Sequence, residues 1–211
     1  MIEESKQLII GCGTGRCGTV SLAALLNEQE DSDLNHETKP ILPWFPISEE
    51  LMDERIKLLL DGDTKFVGDI AGFYIRYVPM IIEKVPDVKI VIIERPKWDV
   101  VKSFLKHSAG KNNWQDSIEP QSDFSICTPT YDSKMSKMDA IASYVDEIQT
   151  ESKELKTKYP DNVKIFNMNC LNTEEGVKSI LEFCGYDKLN IITNVHLNKF
   201  ITREIEEEDE E

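Results

Sequence analysis

Four glycines, at 11, 13, 15 and 18, follow the apolar run Leu8-Ile9-Ile10 and precede the helical pattern Leu22-Ala23-Ala24-Leu25-Leu26. The order is that of a strand, a glycine loop and a helix. Such a loop lets the backbone come close to a ligand, and the first N–H groups of the new helix have no intrahelical partner, so they point at whatever the loop holds. An anion fits that arrangement, most often a phosphate. A nucleoside-triphosphate loop of the form G-x-x-x-x-G-K-[ST] needs a lysine directly after its last glycine, where this chain has Thr19. The loop's cation is instead Arg16, upstream of Gly18, and no magnesium ligand is evident. The same letters also satisfy G-x-G-x-x-G through Gly13, Gly15 and Gly18, with Glu37 about 20 residues on, where a dinucleotide fold places its ribose-binding acid. An NAD(P)- or FAD-type dinucleotide is therefore an alternative occupant.

A second group lies at the end of another buried strand. Val88-Lys89-Ile90-Val91-Ile92-Ile93 is a β-branched run suited to a strand covered on both faces, and it leads through Glu94-Arg95-Pro96 into a helix with Asp99 near its positive end. Arg95 at the carboxyl edge of the strand and Ser103 about two turns along the helix can both face the crevice where open parallel sheets bind ligands. The two motifs together resemble the sulfotransferases that use 3′-phosphoadenosine 5′-phosphosulfate (PAPS). In that family a basic residue precedes Ser-Gly-Thr-Thr in the 5′-phosphosulfate loop, and an Arg followed by a Ser on the next helix holds the 3′-phosphate. Here the strings are Arg16-Cys17-Gly18-Thr19-Val20-Ser21 and Arg95 with Ser103. Cys17, Val20 and Pro96 depart from the family pattern, as does Cys170, which stands before Leu171 where many members carry an acid.

The resemblance implies that Gly13, Thr14, Gly15, Arg16, Cys17, Gly18, Thr19, Val20, Arg95 and Ser103 bind PAPS and its product adenosine 3′,5′-bisphosphate (PAP), with no metal. The implied reaction moves a sulfuryl group to a hydroxyl or amine. Arg16 and the loop N–H groups would stabilise the leaving phosphate. Two residues compete for the role of base. His36-Glu37-Thr38 looks like the Glu-Glu-Thr segment of the tyrosylprotein sulfotransferases, which makes Glu37 the preferred one. Asp69 is the alternative, because it matches in order the strand where cytosolic small-molecule sulfotransferases carry their catalytic histidine. A working carboxylate base should be partly buried, since an ordinary carboxylate is too weak a base. Trp44, Phe45, Phe73, Tyr74 and Trp114 are candidate walls of an acceptor pocket, and His107 and His196 fall where structural roles are expected. The acceptor itself, whether small molecule, carbohydrate, lipid or peptide, is not identified by any motif. The departures keep open a second class, a nucleotide-binding protein of the same fold without turnover.

These residues need a scaffold, and the hydrophobic pattern supplies one. Strands are expected at 7–12, 33–37, 64–69, 88–94 and 163–167, and helices near 18–28, 49–60, 73–84, 97–107, 134–158 and 174–184. That alternation predicts a three-layer α/β/α fold with a central, mostly parallel sheet, like the P-loop nucleoside-triphosphate hydrolases. Met135, Met138, Ile141, Tyr144, Val145 and Ile148 form the core stripe of one helix, while residues 108–133 have little periodicity and read as part of a substrate lid. A single domain over residues 1–203 is expected, followed by an acidic, disordered tail at 204–211. The formal net charge of −15 disfavours nucleic acid and anionic membranes as partners. No apolar stretch is long enough to span a bilayer and no signal peptide is visible, so a cytoplasmic protein with reduced cysteines is expected.

Overall fold

The alternation of apolar side chains along each strand decides how the layers form. In the computed structural model, which describes residues 6–108, 114, 126–132 and 134–193, five strands pair in parallel: β1 (Gln7–Gly13), β2 (Ser32–His36), β3 (Phe66–Ile70), β4 (Lys89–Glu94) and β5 (Val163–Asn167). Leu8, Ile10, Cys12, Ile90 and Ile92 share one apolar cluster with residues of α2 (Glu49–Leu60), α3 (Val78–Lys84), α4 (Lys97–His107) and α5 (Lys137–Lys158). Ile9, Val91 and Ile93 face the other way, into a cluster with α1 (Thr19–Asn27) and α6 (Glu174–Cys184). A sheet covered on both faces needs apolar residues at successive positions, which is why β4 reads as one continuous run. The result is the expected α/β/α architecture, with every strand pair parallel.

The strand order is β2-β3-β1-β4-β5. The chain leaves β1 through α1 toward one edge, returns through β3, and then passes to the other side of β1 to make β4. β1 and β4 are thus neighbours whose following connections diverge, and the carboxyl ends of such a pair form the crevice in which open sheets bind ligands. The loop after Gly13 and Arg95 both open onto it.

Two boundaries differ from the sequence expectation for identifiable reasons. The helix expected at 73–84 is divided into a 3-10 turn, Gly72–Tyr77, and α3, because Pro79 near the start of α3 lacks the N–H needed to continue the ladder. α5 starts at Lys137, after Ser136, whose hydroxyl accepts from Asp139 N at 3.1 Å. Met138 of the expected core stripe is 46% exposed in that first turn, while Ile141, Tyr144, Val145 and Ile148 are buried. Of the expected lid, only Ser108, Trp114 and residues 126–132 fall among the described residues, and the expected tail at 204–211 and His196 lie outside them. Among the described residues no helix is long and apolar enough to cross a membrane, and no group of His, Cys, Asp and Glu side chains is arranged to hold a metal ion.

Candidate functional site

The turn out of β1 is forced by backbone contacts that only glycine permits. At Gly13, φ is +145° and an added Cβ would lie 2.4 Å from the Ile93 carbonyl oxygen on β4. Gly18 takes a left-handed conformation as the N-cap of α1, and no side chain caps the helix there. The first N–H groups of α1 are thereby left without a side-chain cap beside the loop, as an anion site requires. Arg16 also adopts positive φ, +67°, an uncommon conformation for a residue with a side chain. Arg95 Nη1 donates to the Arg16 carbonyl oxygen at 3.0 Å, holding that conformation from β4.

The side chains singled out from distant parts of the sequence meet here. Arg16 Nε donates to Ser103 Oγ at 3.3 Å, so the loop cation, the post-β4 arginine and the α4 serine form one cluster. Partial burial, and then the nearby Arg95 charge, lower the Arg16 pKa. Arg95 Nε is buried with no hydrogen-bond partner among the described residues. Two guanidinium groups held together with an unused buried donor make a positively charged site suited to an anion. Cys17 and Thr14 are buried at 0% and 4% exposure, so a ligand would meet these positions through the backbone. Burial pushes the Cys17 thiol up to about 12, and Cys12 is likewise a buried free thiol.

Beyond the loop a cavity of about 310 Å³ opens, with Gly15, Arg16, Thr19, Val20, His36 and Glu37 among its lining residues. Its other walls include Phe73, Phe104, His107, Cys127, Thr128 and Tyr144. His36 Nε2 lies 3.1 Å from Thr19 Oγ1, which ties the end of β2 to the start of α1. Glu37 has φ +54°, and its N–H donates to the Ile70 carbonyl at 3.2 Å. Its side chain is exposed, not partly buried as the sequence reading required of a base.

Asp69, the alternative base, does not line this cavity. It is fully buried: Oδ2 accepts from Arg55 Nη1 at 3.2 Å, Tyr74 Oη at 2.7 Å and Thr38 N at 3.0 Å, and Oδ1 from Ile70 N at 3.0 Å. Arg55 Nη2 in turn donates to the carbonyls of Thr38 and Pro40 at 2.8 and 2.6 Å. The buried pair thus holds the chain immediately after Glu37.

The aromatic candidates also divide. Phe73 lines the cavity, Trp44 and Trp114 pack on Tyr144 with centroids 5.9 and 5.0 Å away, Tyr74 belongs to the Asp69 network, and Phe45 is 82% exposed. His107, assigned a structural place from sequence, lines the cavity, and burial followed by the Arg16 charge lowers its pKa. Cys127, Thr128, Phe104 and Tyr144 were not among the expected site residues. Tyr144 could have been noticed as the one polar tip in an otherwise apolar stripe; the others carry no spacing signal.

No protein-family model and no curated protein sequence matches the chain. Solved structures do. A sulfotransferase from Alicyclobacillus acidocaldarius superposes with a TM-score of 0.58 at 18% identity, covering 92% of this chain and 87% of the other. A mouse sulfotransferase, SULT7A1, complexed with PAP, gives 0.52 at 14% identity over 88% of this chain and 60% of its own. The fold is that of the sulfotransferases. In this fold β3, not β2, lies beside β1, whereas the dinucleotide-binding order 3-2-1-4-5-6 sets β2 next to β1 to bring its acid to the ribose. Glu37, directly after β2, is one strand removed from that place.

Proposed function

We propose that the protein is a PAPS-dependent sulfotransferase acting on a hydroxyl or amine of a small-molecule, carbohydrate, lipid or peptide acceptor. The observation that carries this reading is the cluster of Arg16, Arg95 and Ser103 at the ends of β1 and β4, beside a glycine loop that has Thr19 where a triphosphate loop has lysine. The buried Arg95 Nε without a partner fits a 3′-phosphate, and the uncapped N-terminus of α1 fits the 5′-phosphate.

PAPS supplies the sulfuryl group and leaves as PAP. The acceptor oxygen or nitrogen bonds to sulfur while the bond from sulfur to the 5′-phosphate oxygen breaks, its electron pair leaving with the phosphate. Arg16 and the N–H groups of the loop stabilise the charge that develops there. Glu37, which lines the same cavity, receives the acceptor's proton. Asp69 and Arg55 act behind it, fixing the backbone at Thr38 and Pro40 so that the carboxylate stays at the cavity.

A thermal-shift panel tests the reading. A ligand that binds only the native state stabilises it by about 2.7 kcal/mol at a hundredfold excess over Kd. The expected result is a clear shift with PAP in the absence of magnesium and little with ATP-magnesium or NAD. A shift with NAD and none with PAP would move the assignment to the dinucleotide class.

A further inference from the structure

Tyr144 reaches the back of the cavity from α5, and its surroundings leave its hydroxyl one task unfilled. The ring is 2% exposed and is packed by Trp44, Trp114 and Phe104 at centroid distances of 5.9, 5.0 and 6.1 Å, so its direction is fixed. Its oxygen accepts from Gly15 N at 3.2 Å, in the loop between Gly13 and Arg16. A Cβ added to Gly72, just after β3, would lie 3.1 Å from the Gly13 carbonyl oxygen and 3.5 Å from the same hydroxyl oxygen. The hydroxyl therefore sits between the segments that leave β1 and β3. A phenol both accepts and donates. No hydrogen bond donated by Tyr144 exists among the described residues, although the group lines the cavity. Burying a hydroxyl with its proton unused is costly, and a phenylalanine would pack the same stripe without that cost.

We infer that Tyr144 donates a hydrogen bond to the sulfuryl group during transfer. The inference rests on the sulfotransferase reading and deepens it. As the bond from sulfur to the 5′-phosphate breaks, the transferring group needs fixed donors that do not have to reorganise. Tyr144 is suited to be such a donor: Gly15 N–H holds the oxygen, three rings hold the plane, and the group lines the cavity. It keeps that proton throughout, since the acceptor's proton goes to Glu37 and the electron pair leaves with the phosphate. Burial raises its pKa, with the Gly15 hydrogen bond opposing, so it remains a neutral donor at working pH.

PAP and PAPS differ by the sulfuryl group, which gives a test that does not depend on turnover. Tyr144→Phe in the full chain is titrated with each nucleotide by calorimetry. PAP affinity should stay within about twofold, PAPS affinity should fall about tenfold, and kcat should fall about a hundredfold once an acceptor is in hand. Equal losses for both nucleotides would make Tyr144 a support of the loop alone and overturn the inference, as would no change in either. Should the variant fail to fold, Tyr144→3-fluorotyrosine keeps the ring and the hydroxyl but strengthens the hydroxyl as a donor, and is expected to change PAPS affinity while PAP affinity stays within about twofold; unchanged PAPS affinity would overturn the inference. If the unaltered protein binds neither nucleotide, the sulfotransferase reading itself falls, and this inference with it.

Discussion

The two sides of the cavity are built differently. On the side proposed to hold the nucleotide, Gly13, Arg16 and Arg95 hang from β1 and β4, strands with neighbours on both sides, and are cross-tied to each other and to Ser103 of α4 by hydrogen bonds. On the side proposed to hold the acceptor, Glu37 follows directly after β2, an edge strand, and its side chain is exposed. Its geometry comes from behind, through the Ile70 carbonyl and the buried Arg55–Asp69 pair. Central strands fix the group that every reaction of this kind would share. An edge strand, with connecting segments such as 126–132, would under the proposed function leave the acceptor chemistry free to vary on the same scaffold.

That contrast is tested most severely by Glu37→Gln. The change preserves shape but removes the proton acceptor, so turnover should fall by about 10² to 10⁴ while PAP affinity and thermal stability hold. Asp69→Asn should behave in the opposite way. The amide leaves the buried Arg55 guanidinium without its counter-charge, and breaking a buried pair from one side costs about 3–5 kcal/mol. For a chain of this size that lowers Tm by roughly 6–20 °C, with any loss of activity following from displacement of Glu37. Should Asp69→Asn leave Tm unchanged and abolish turnover, with Glu37→Gln silent, the assignment of the two acids would be reversed.

On the nucleotide side the effects should fall on binding. Charge-assisted hydrogen bonds are worth about 1.5–3 kcal/mol each. Arg95→Ala combined with Ser103→Ala should therefore weaken PAP at least tenfold and leave the analogue lacking the 3′-phosphate nearly unaffected. Equal losses for both ligands, measured by calorimetry, would mean that the cluster only props up the loop through Arg16.

How much could be read from sequence follows the same division. Gly13, Gly18, Arg16, Arg95 and Ser103 were legible because a strand, a tight turn and a helix N-terminus each constrain residue type at fixed spacing, and these motifs lie on central elements. Glu37 was legible in place but not in environment: its exposure depends on β2 being the sheet edge, a property of strand order that local pattern does not carry. Asp69 was the alternative base because it matches in order the strand on which small-molecule sulfotransferases carry their catalytic histidine, and order along the chain says nothing of burial. Its partners, Arg55 and Tyr74, come from other elements, and nothing near Asp69 in the chain announces them. Tyr144 was hidden by a stripe of apolar residues whose burial it shares.

The smallest effects come from the two departures within the loop, and they separate backbone from side-chain recognition. Cys17 is wholly buried and belongs to the apolar cluster shared with α1 and α6. Cys17→Ser would restore the residue common in sulfotransferases, yet its side chain would still point into the core. PAP affinity should therefore stay within about twofold, and stability should drop by about 1–3 kcal/mol for a hydroxyl placed among apolar groups. Val20 differs in that it lines the cavity in the first turn of α1. Val20→Thr places a hydroxyl beside the helix N-terminus, where one added hydrogen bond worth about 0.5–1.5 kcal/mol should tighten PAP by roughly two- to tenfold. Calorimetry on the two variants side by side decides the matter. A gain from Cys17→Ser and none from Val20→Thr would mean that the thiol position, not the helix N-terminus, faces the phosphate, and the orientation of the loop would have to be redrawn.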